Sequence, residues 1–444
     1  MAPVLPARAG RTLANGGSGP ATGRRRQQAR QPPRDTATHG LPEYLYERYT
    51  RLGYPPGVTL LIDAQTGHEL SFADIKLHAE TLATSLAAGL GVGPGASVAV
   101  LSRANIDILI VAIAAWTVCA SVVVLPPDVL IGELHGILTA EHLPRAFFVS
   151  RDLLPVAQQT VAAIVPRESG REQPQFVVFG AGAGGPPPRD AGAGGPPPRD
   201  AGGAIHSIRD LYHMHRRSQP FARAPLTQSE AETHMAIVYY YYQRVGDGLT
   251  IASSPMSHRN VIDNYNSSLR RSPSLPSRQS PPARRDAAPP NRPATPHTPP
   301  RRPGADPSDP DEAAGDCVQA LAFAVQRPHA AFRLHRTIMN IFCLGARYLF
   351  THEFDPPRFA VAAARHAIAC AELTSAEIQM LIAYLRGVGA ASAAALLAPL
   401  RFVYTETSEA EEQLAAPLAE LLPRVSIVRT RFGSYVEPLA RSHP

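Results

Sequence analysis

The chain has 444 residues, 44% of them hydrophobic, with a formal charge of +6. That length suits one large domain or two to three ordinary ones. The composition excludes a collagen, a coiled coil and a disulfide-stapled mini-protein. The 45 prolines and 33 glycines are concentrated in a few stretches, and Lys76 is the only lysine, so chemistry that needs a lysine must use Lys76 or fail.

Residues 1–40 hold seven arginines, from Arg8 to Arg34, and no acid before Asp35. An organelle transit peptide shares that composition, but Asn15-Gly16-Gly17-Ser18-Gly19-Pro20 opposes the amphipathic helix it requires. We expect a disordered tail and a cytoplasmic protein, with organelle import as the alternative. No secretory signal is visible.

Ser71 with Asp74 reads as a capping-box variant. Phe72, Ile75, Ala79, Leu82, Leu86 and Leu90 then form one apolar helical face. Gly91, Gly93 and Gly95 end that helix and turn the chain. Strands are expected at Val98–Leu101, Val122–Leu125, Ala146–Val149 and Phe176–Phe179, alternating with helices from about Ala104, from about Leu130 and over 152–164. The apolar run from Ile108 to Leu125 reaches the threshold for a membrane helix. Its change from Ile/Ala/Trp to Val122-Val123-Val124 predicts instead a buried helix followed by a buried strand.

The segment AGAGGPPPRD fills 181–190 and again 191–200, and low-complexity 167–204 reads as a tolerant loop. Residues 204–217, with His206, His213, His215 and Asp210, read as a solvated polar stretch rather than a metal site. Met235 to Tyr242 resumes the strand signal, its four tyrosines expected half-buried on alternate faces. Residues 267–316 are Arg/Pro-rich, a linker or a protein-partner segment. Beyond it, strands at Arg347–Phe350, Arg401–Thr405 and Val425–Thr430 alternate with helices near 356–367, 375–385 and 409–421. This is an α/β chain with mostly parallel sheets flanked by helices. Cys119, Cys317, Cys343 and Cys370 form no C-x-x-C pair and read as buried thiols of a reducing compartment.

Several segments resemble the large N-terminal domain of adenylate-forming enzymes, the acyl- and aryl-CoA ligases. Thr66-Gly67 before Leu70-Ser71-Phe72-Ala73-Asp74 is similar to the family's TG-x-x-L-T-Y-A-E-L opening. Gly91-Val92-Gly93-Pro94-Gly95-Ala96-Ser97-Val98-Ala99 resembles its LG-V-x-x-G-D-x-V-A turn. Asn105, Val122–Pro126 and Glu133-Leu134 continue the match in order, and the resemblance covers about residues 42–165, 233–266 and 318–437. It implies ATP-dependent activation of a small carboxylic acid, with Mg2+ as cofactor and CoA as co-substrate.

Ser257-His258-Arg259-Asn260 is similar to the family's T-H-R-N. Counting back without gaps puts 244–253 on its phosphate loop. Gly246, Gly248, Ser253 and Ser254 are therefore the candidate ATP residues, while Ala252 takes the lysine position and Asp247 brings a carboxylate. Phe432-Gly433 resembles the adenine-binding motif. Glu437, one residue late, is the candidate catalytic and magnesium residue. His258 and His329 are candidates for the substrate pocket. The resemblance implies further that a ribose-binding Asp, a hinge and a lysine-bearing lid domain follow this point in the family; the chain given stops at Pro444. We therefore expect an acyl/aryl-CoA-synthetase-like protein, impaired or incomplete. The alternative is an inactive pseudo-enzyme acting as an acyl-ligand-binding or protein-interaction module. No membrane span and no specific nucleic acid partner are expected.

Overall fold

The computed structural model describes residues 40–102, 105–140, 143–165, 172–179, 205–214, 221, 226–245, 248–271, 321–325, 333–405 and 408–429. They form two seven-stranded sheets. The first runs β14 (Ser426–Arg429), β13 (Phe402–Thr405), β12 (Cys370–Glu372), β10 (Leu321–Val325), β11 (Arg347–Thr351), β1 (Thr59–Asp63), β2 (Glu69–Ser71). The second runs β7 (Ile205–Ser207), β6 (Gln175–Val178), β5 (Ala146–Val149), β3 (Ser97–Leu101), β4 (Ser121–Leu125), β8 (Met235–Val245), β9 (Gly248–Ser257). All neighbouring strands are parallel except β1–β2 and β8–β9, so each sheet has one antiparallel edge.

Parallel strands need helical crossovers, which cover both faces of a sheet. The side chains show it strand by strand. In β3, Val98 and Val100 join one core cluster while Ala99 and Leu101 join another. In β11, Tyr348 and Phe350 join the first cluster and Leu349 a third. The first cluster therefore lies between the sheets. It contains the buried faces of α1 (Leu41–Leu52), α2 (Phe72–Thr84), α3 (Asp107–Thr117), α8 (His258–Arg271) and α9 (Arg333–Leu344). Outside the first sheet pack α10 (Pro356–His366), α11 (Ser375–Val388) and α13 (Ser408–Leu421). Outside the second pack α4 (Ile131–Ala140) and α5 (Leu154–Ile164). The layering is helix, sheet, helix, sheet, helix.

The reciprocal cap of α2 is formed: Asp74 N–H donates to Ser71 Oγ at 3.2 Å, and Ser71 N–H to Asp74 Oδ2 at 2.9 Å. The predicted apolar face continues past α2 into a π-helical turn, Ser85–Gly89. There Ser85 Oγ donates to Leu211 O and Thr84 Oγ1 accepts from Phe221 N–H, which docks the segment around α6 (Ile208–Met214). Gly91 and Gly95 have φ of 63° and 78°, as a turn made by glycine requires.

The apolar run 108–125 divides as its composition predicts, into α3 and β4, with Cys119 at φ 57° between them. Among the described residues no helix is long and apolar enough to cross a membrane. Two expectations need correcting. Tyr239 and Tyr240 are fully buried, not half-buried, because they face the two different cores on either side of the second sheet. Segment 204–217 is not merely solvated: β7 adds the sheet's edge strand and α6 buries Ile208 and Leu211. Cys119 and Cys343 are buried and Cys370 partly so; Cys317 lies outside the described residues, as do the tail 1–39 and the repeat 181–200. Strand β6 falls within 167–204 and α8 runs to Arg271, inside 267–316.

Candidate functional site

In open α/β sheets ligands bind beyond the carboxyl ends of strands, where neighbouring strands send their connections to opposite faces. In the first sheet that point lies between β10 and β12. Strand β10 leads into the central layer through α9, whereas β12 leads through α11 outside. The first turn of α9 carries Arg333, His335 and Arg336, all buried. Glu372 closes β12, also buried.

These residues form a polar seam across the central layer. Arg336 Nη2 donates to Glu372 Oε2 at 2.8 Å, and the Tyr348 hydroxyl donates to Glu372 Oε1 at 3.2 Å. Asn340 Nδ2 donates to the Tyr348 oxygen at 3.0 Å, and the Tyr265 hydroxyl of α8 donates to Asn340 Oδ1 at 3.0 Å. At the other end the Tyr239 hydroxyl of β8 lies 2.9 Å from His335 Nδ1 and accepts from the His335 backbone N–H at 3.2 Å. Burial, with Arg336 beside it, lowers the His335 pKa to about 3. With the His335 backbone N–H already donating to the Tyr239 oxygen, the hydroxyl donates to Nδ1 of the neutral ring in its Nε2–H tautomer. So weak a base does not take up protons near neutrality. Tyr348 is raised well above the tyrosine range by burial, then by the Glu372 charge. The seam orients backbone and helix; it is not built for proton transfer. Sequence reasoning missed it. The available signal was polar residues on an otherwise apolar helix face, and an acid in a strand of small apolar residues.

The second part of the site is the β8–β9 hairpin. Its strands pair from Met235↔Ser257 to Val245↔Gly248. Residues 248–253, which motif counting places on a phosphate loop, are thus strand. Ser253 stands opposite Tyr240, and Ser254 opposite Tyr239. The hairpin and the seam meet at Tyr239. Ser253 is exposed and Ser254 partly buried.

Gly246 and Asp247 lie outside the described residues, as do His329, Phe432, Gly433 and Glu437. His258 is fully buried, and its Nδ1 accepts the Leu41 N–H at 3.1 Å, tying the start of α8 to the start of α1. Ser257 Oγ accepts the Asn260 N–H, capping α8, and Arg259 pairs with Asp263 on its surface. The structure therefore brings Gly248, Ser253 and Ser254 onto one strand, with His258 beginning the helix that follows it.

As a triphosphate cradle the described set fits poorly. It offers two hydroxyls, and the backbone groups of β9 that face β8 are engaged in the ladder. Lys76 is remote in use: on α2 its Nζ lies 3.8 Å from Glu80 and 5.4 Å from the centroid of the Tyr46 ring. Among the described residues no group of three or more His, Cys, Asp and Glu could hold a metal ion.

Residues 49–198 match the family described as AMP-binding enzyme. No curated protein sequence matches the chain. Solved structures do. A luciferase-like enzyme from the nonluminescent mealworm Zophobas morio is 12% identical, with a TM-score of 0.57 over 89% of this chain and 73% of that one. A long-chain-fatty-acid-CoA ligase from Archaeoglobus fulgidus is 14% identical, with a TM-score of 0.59 over 88% of this chain and 64% of that one. An anthranilate CoA ligase solved with anthranoyl-AMP is 16% identical, with a TM-score of 0.58 over 88% of this chain and 60% of that one. The chain spans less than two thirds of those two ligases. Residues 49–198 thus match an AMP-binding enzyme domain, and the described residues share the two-sheet fold of solved acyl- and aryl-CoA ligases.

Proposed function

We propose that the chain is an acyl/aryl-CoA-synthetase-like protein, acting in the cytoplasm, whose adenylation step is strongly impaired. The observation that carries this reading is the start of β9 at Gly248, which turns candidate loop positions into paired strand. Asp247 and Ala252 support it, since one adds a negative charge and the other stands at the lysine position. A carboxylate at 4 Å from a phosphate charge costs roughly 4 kcal/mol at an effective dielectric constant near 20. Arg244, opposite Leu249, is the one cationic residue between Met235 and Ser257.

In this reading Gly246, Gly248, Ser253 and Ser254 receive phosphate, Phe432 and Gly433 the adenine, and Glu437 magnesium. His329 lines the acid pocket, and CoA is the acceptor. The deciding experiment is calorimetric titration of ATP–Mg2+ into the full chain, with Gly246→Asp as control. Weak binding, lost in the control, with slow carboxylate-dependent pyrophosphate release, supports the reading. No binding at millimolar ATP overturns it in favour of the second reading, a module that keeps the fold and binds an acyl ligand or a protein without chemistry. Fast turnover refutes the impairment.

A further inference from the structure

The four sheet edges are unlike. β2 carries Glu69, β14 carries Arg429 and β7 carries His206, and all three are short. Natural sheets guard their edges by shortness, charge or proline. The fourth edge, β9, has 10 residues and not one charge. Its single guard is Pro255, exposed and near the carboxyl end, which leaves Gly248–Ser254 open. Among the described residues no strand pairs with the outer side of β9. Its partner β8 joins β4 only through Ile237, Val238 and Tyr239, whereas the β8–β9 pairing continues to Val245↔Gly248. From Tyr240 and Ser253 onward the hairpin is a two-stranded ribbon extending beyond that pairing.

We propose that the β9 edge, Gly248–Ser254, pairs antiparallel with the same edge of a second copy of this chain, joining two seven-stranded sheets about a two-fold axis. Self-pairing satisfies the open backbone groups of both copies at once, as an isologous interface must. The neutrality of the strand selects this occupant. Two chains of formal charge +6 repel each other over much of their surfaces, and here they meet without like charges face to face. A foreign strand would be chosen by side-chain pockets or charges, and Thr250, Ala252, Ser253 and Ser254 supply neither. The pairing does not rest on the proposed nucleotide reading, and because Gly248, Ser253 and Ser254 are common to both, the test is run without nucleotide.

The test combines sedimentation of the full chain, from micromolar to hundred-micromolar concentration, with hydrogen exchange at both ends of that range. Dimerisation is expected, with exchange of the β9 amides slowed in the dimer and that of β3 unchanged. Thr250→Lys, which puts an ammonium on the edge, is expected to weaken association by at least about tenfold, ~1.4 kcal/mol. Retained protection of β3 reports that the variant folds. A wild-type chain that stays monomeric overturns the proposal. So does a dimer whose β9 amides exchange at the monomer rate. Slow β9 exchange already in the monomer also overturns it, because the edge would then be covered within one chain.

Discussion

Replacing Glu372 with alanine should be among the most damaging single substitutions in the chain. It removes the acceptor of Arg336 Nη2 at 2.8 Å and of the Tyr348 hydroxyl at 3.2 Å. The two charged side chains are only 6% and 10% exposed, so the guanidinium that loses this carboxylate cannot recover its hydration. Breaking a buried pair from one side costs about 3–5 kcal/mol, and the orphaned hydroxyl adds about 1 kcal/mol. Against a typical total of about 5–15 kcal/mol, that is a large share. The double variant Arg336→Met, Glu372→Leu removes both charges and keeps apolar volume, so it should recover most of the loss. Urea unfolding followed by Trp116, the only tryptophan and 1% exposed, reads all three proteins with one probe. The reasoning fails if Glu372→Ala costs under about 1 kcal/mol, or if the double variant is no more stable than Glu372→Ala.

Three further outcomes follow from the same seam and from α2. Tyr239→Phe removes the hydroxyl bonded to His335 Nδ1 and to the His335 backbone N–H, for a loss of about 1–3 kcal/mol in the same urea titration. Ser71→Ala breaks the reciprocal cap and should cost about 1 kcal/mol by thermal unfolding. The Ser71 contacts hold the Asp74 pKa below the usual carboxylate range, so that contribution is present above the unfolded carboxylate pKa and lost as pH falls through the lower folded value. For His335 the folded pKa of about 3 lies below the ordinary 6.5, so its contribution is fully present above 6.5 and declines as pH falls from 6.5 towards 3. His335→Gln should flatten the stability-against-pH curve across that window, while wild type loses at most ~1.4 kcal/mol per pH unit from this group.

What the sequence made legible was whatever is written in short-range periodicity. The alternation of Val98–Leu101, Val122–Leu125 and Ala146–Val149 with intervening helices located much of the second sheet. The Ser71–Asp74 spacing located the start of α2. The division of 108–125 followed from a change of composition within one apolar run. Helix α1, the β1–β2 hairpin and α6 were not found, since each owes its place to distant partners. Thr59 pairs with Ser71 across the hairpin, β1 lies beside β11, and α6 is held by Ser85 just past the end of α2. The seam was invisible for the same reason. Arg336 and Glu372 meet because α9 returns over a parallel sheet in which β12 lies beside β10, and no spacing in the sequence encodes that neighbour. Motif matching found Ser257-His258-Arg259-Asn260, but the use of its polar atoms as caps and ties needed the positions of Leu41 and Asn260.

In the proposed reading, the fold and the nucleotide site rest on very different numbers of residues. The framework rests on many residues with small individual shares: alternating apolar side chains in the strands, caps at α2 and α8, and a buried seam through α9. Phosphate binding rests on a few backbone N–H groups left uncommitted in a turn, with a cation nearby. In β9 the N–H groups facing β8 are already committed to Tyr240–Val245. A backbone hydrogen bond contributes about 1 kcal/mol net, so opening several to receive a phosphate costs several kcal/mol before any contact forms. In the proposed reading, the carboxylate of Asp247 counts on the same side of the balance. On that reading, a phosphate that drew on those inward N–H groups competes with the strand pairing that holds Tyr239 in place, whereas the outward groups of Gly248–Ser254 stay open. Tyr239 reaches through His335 to the first turn of α9, so the two demands meet in a single side chain.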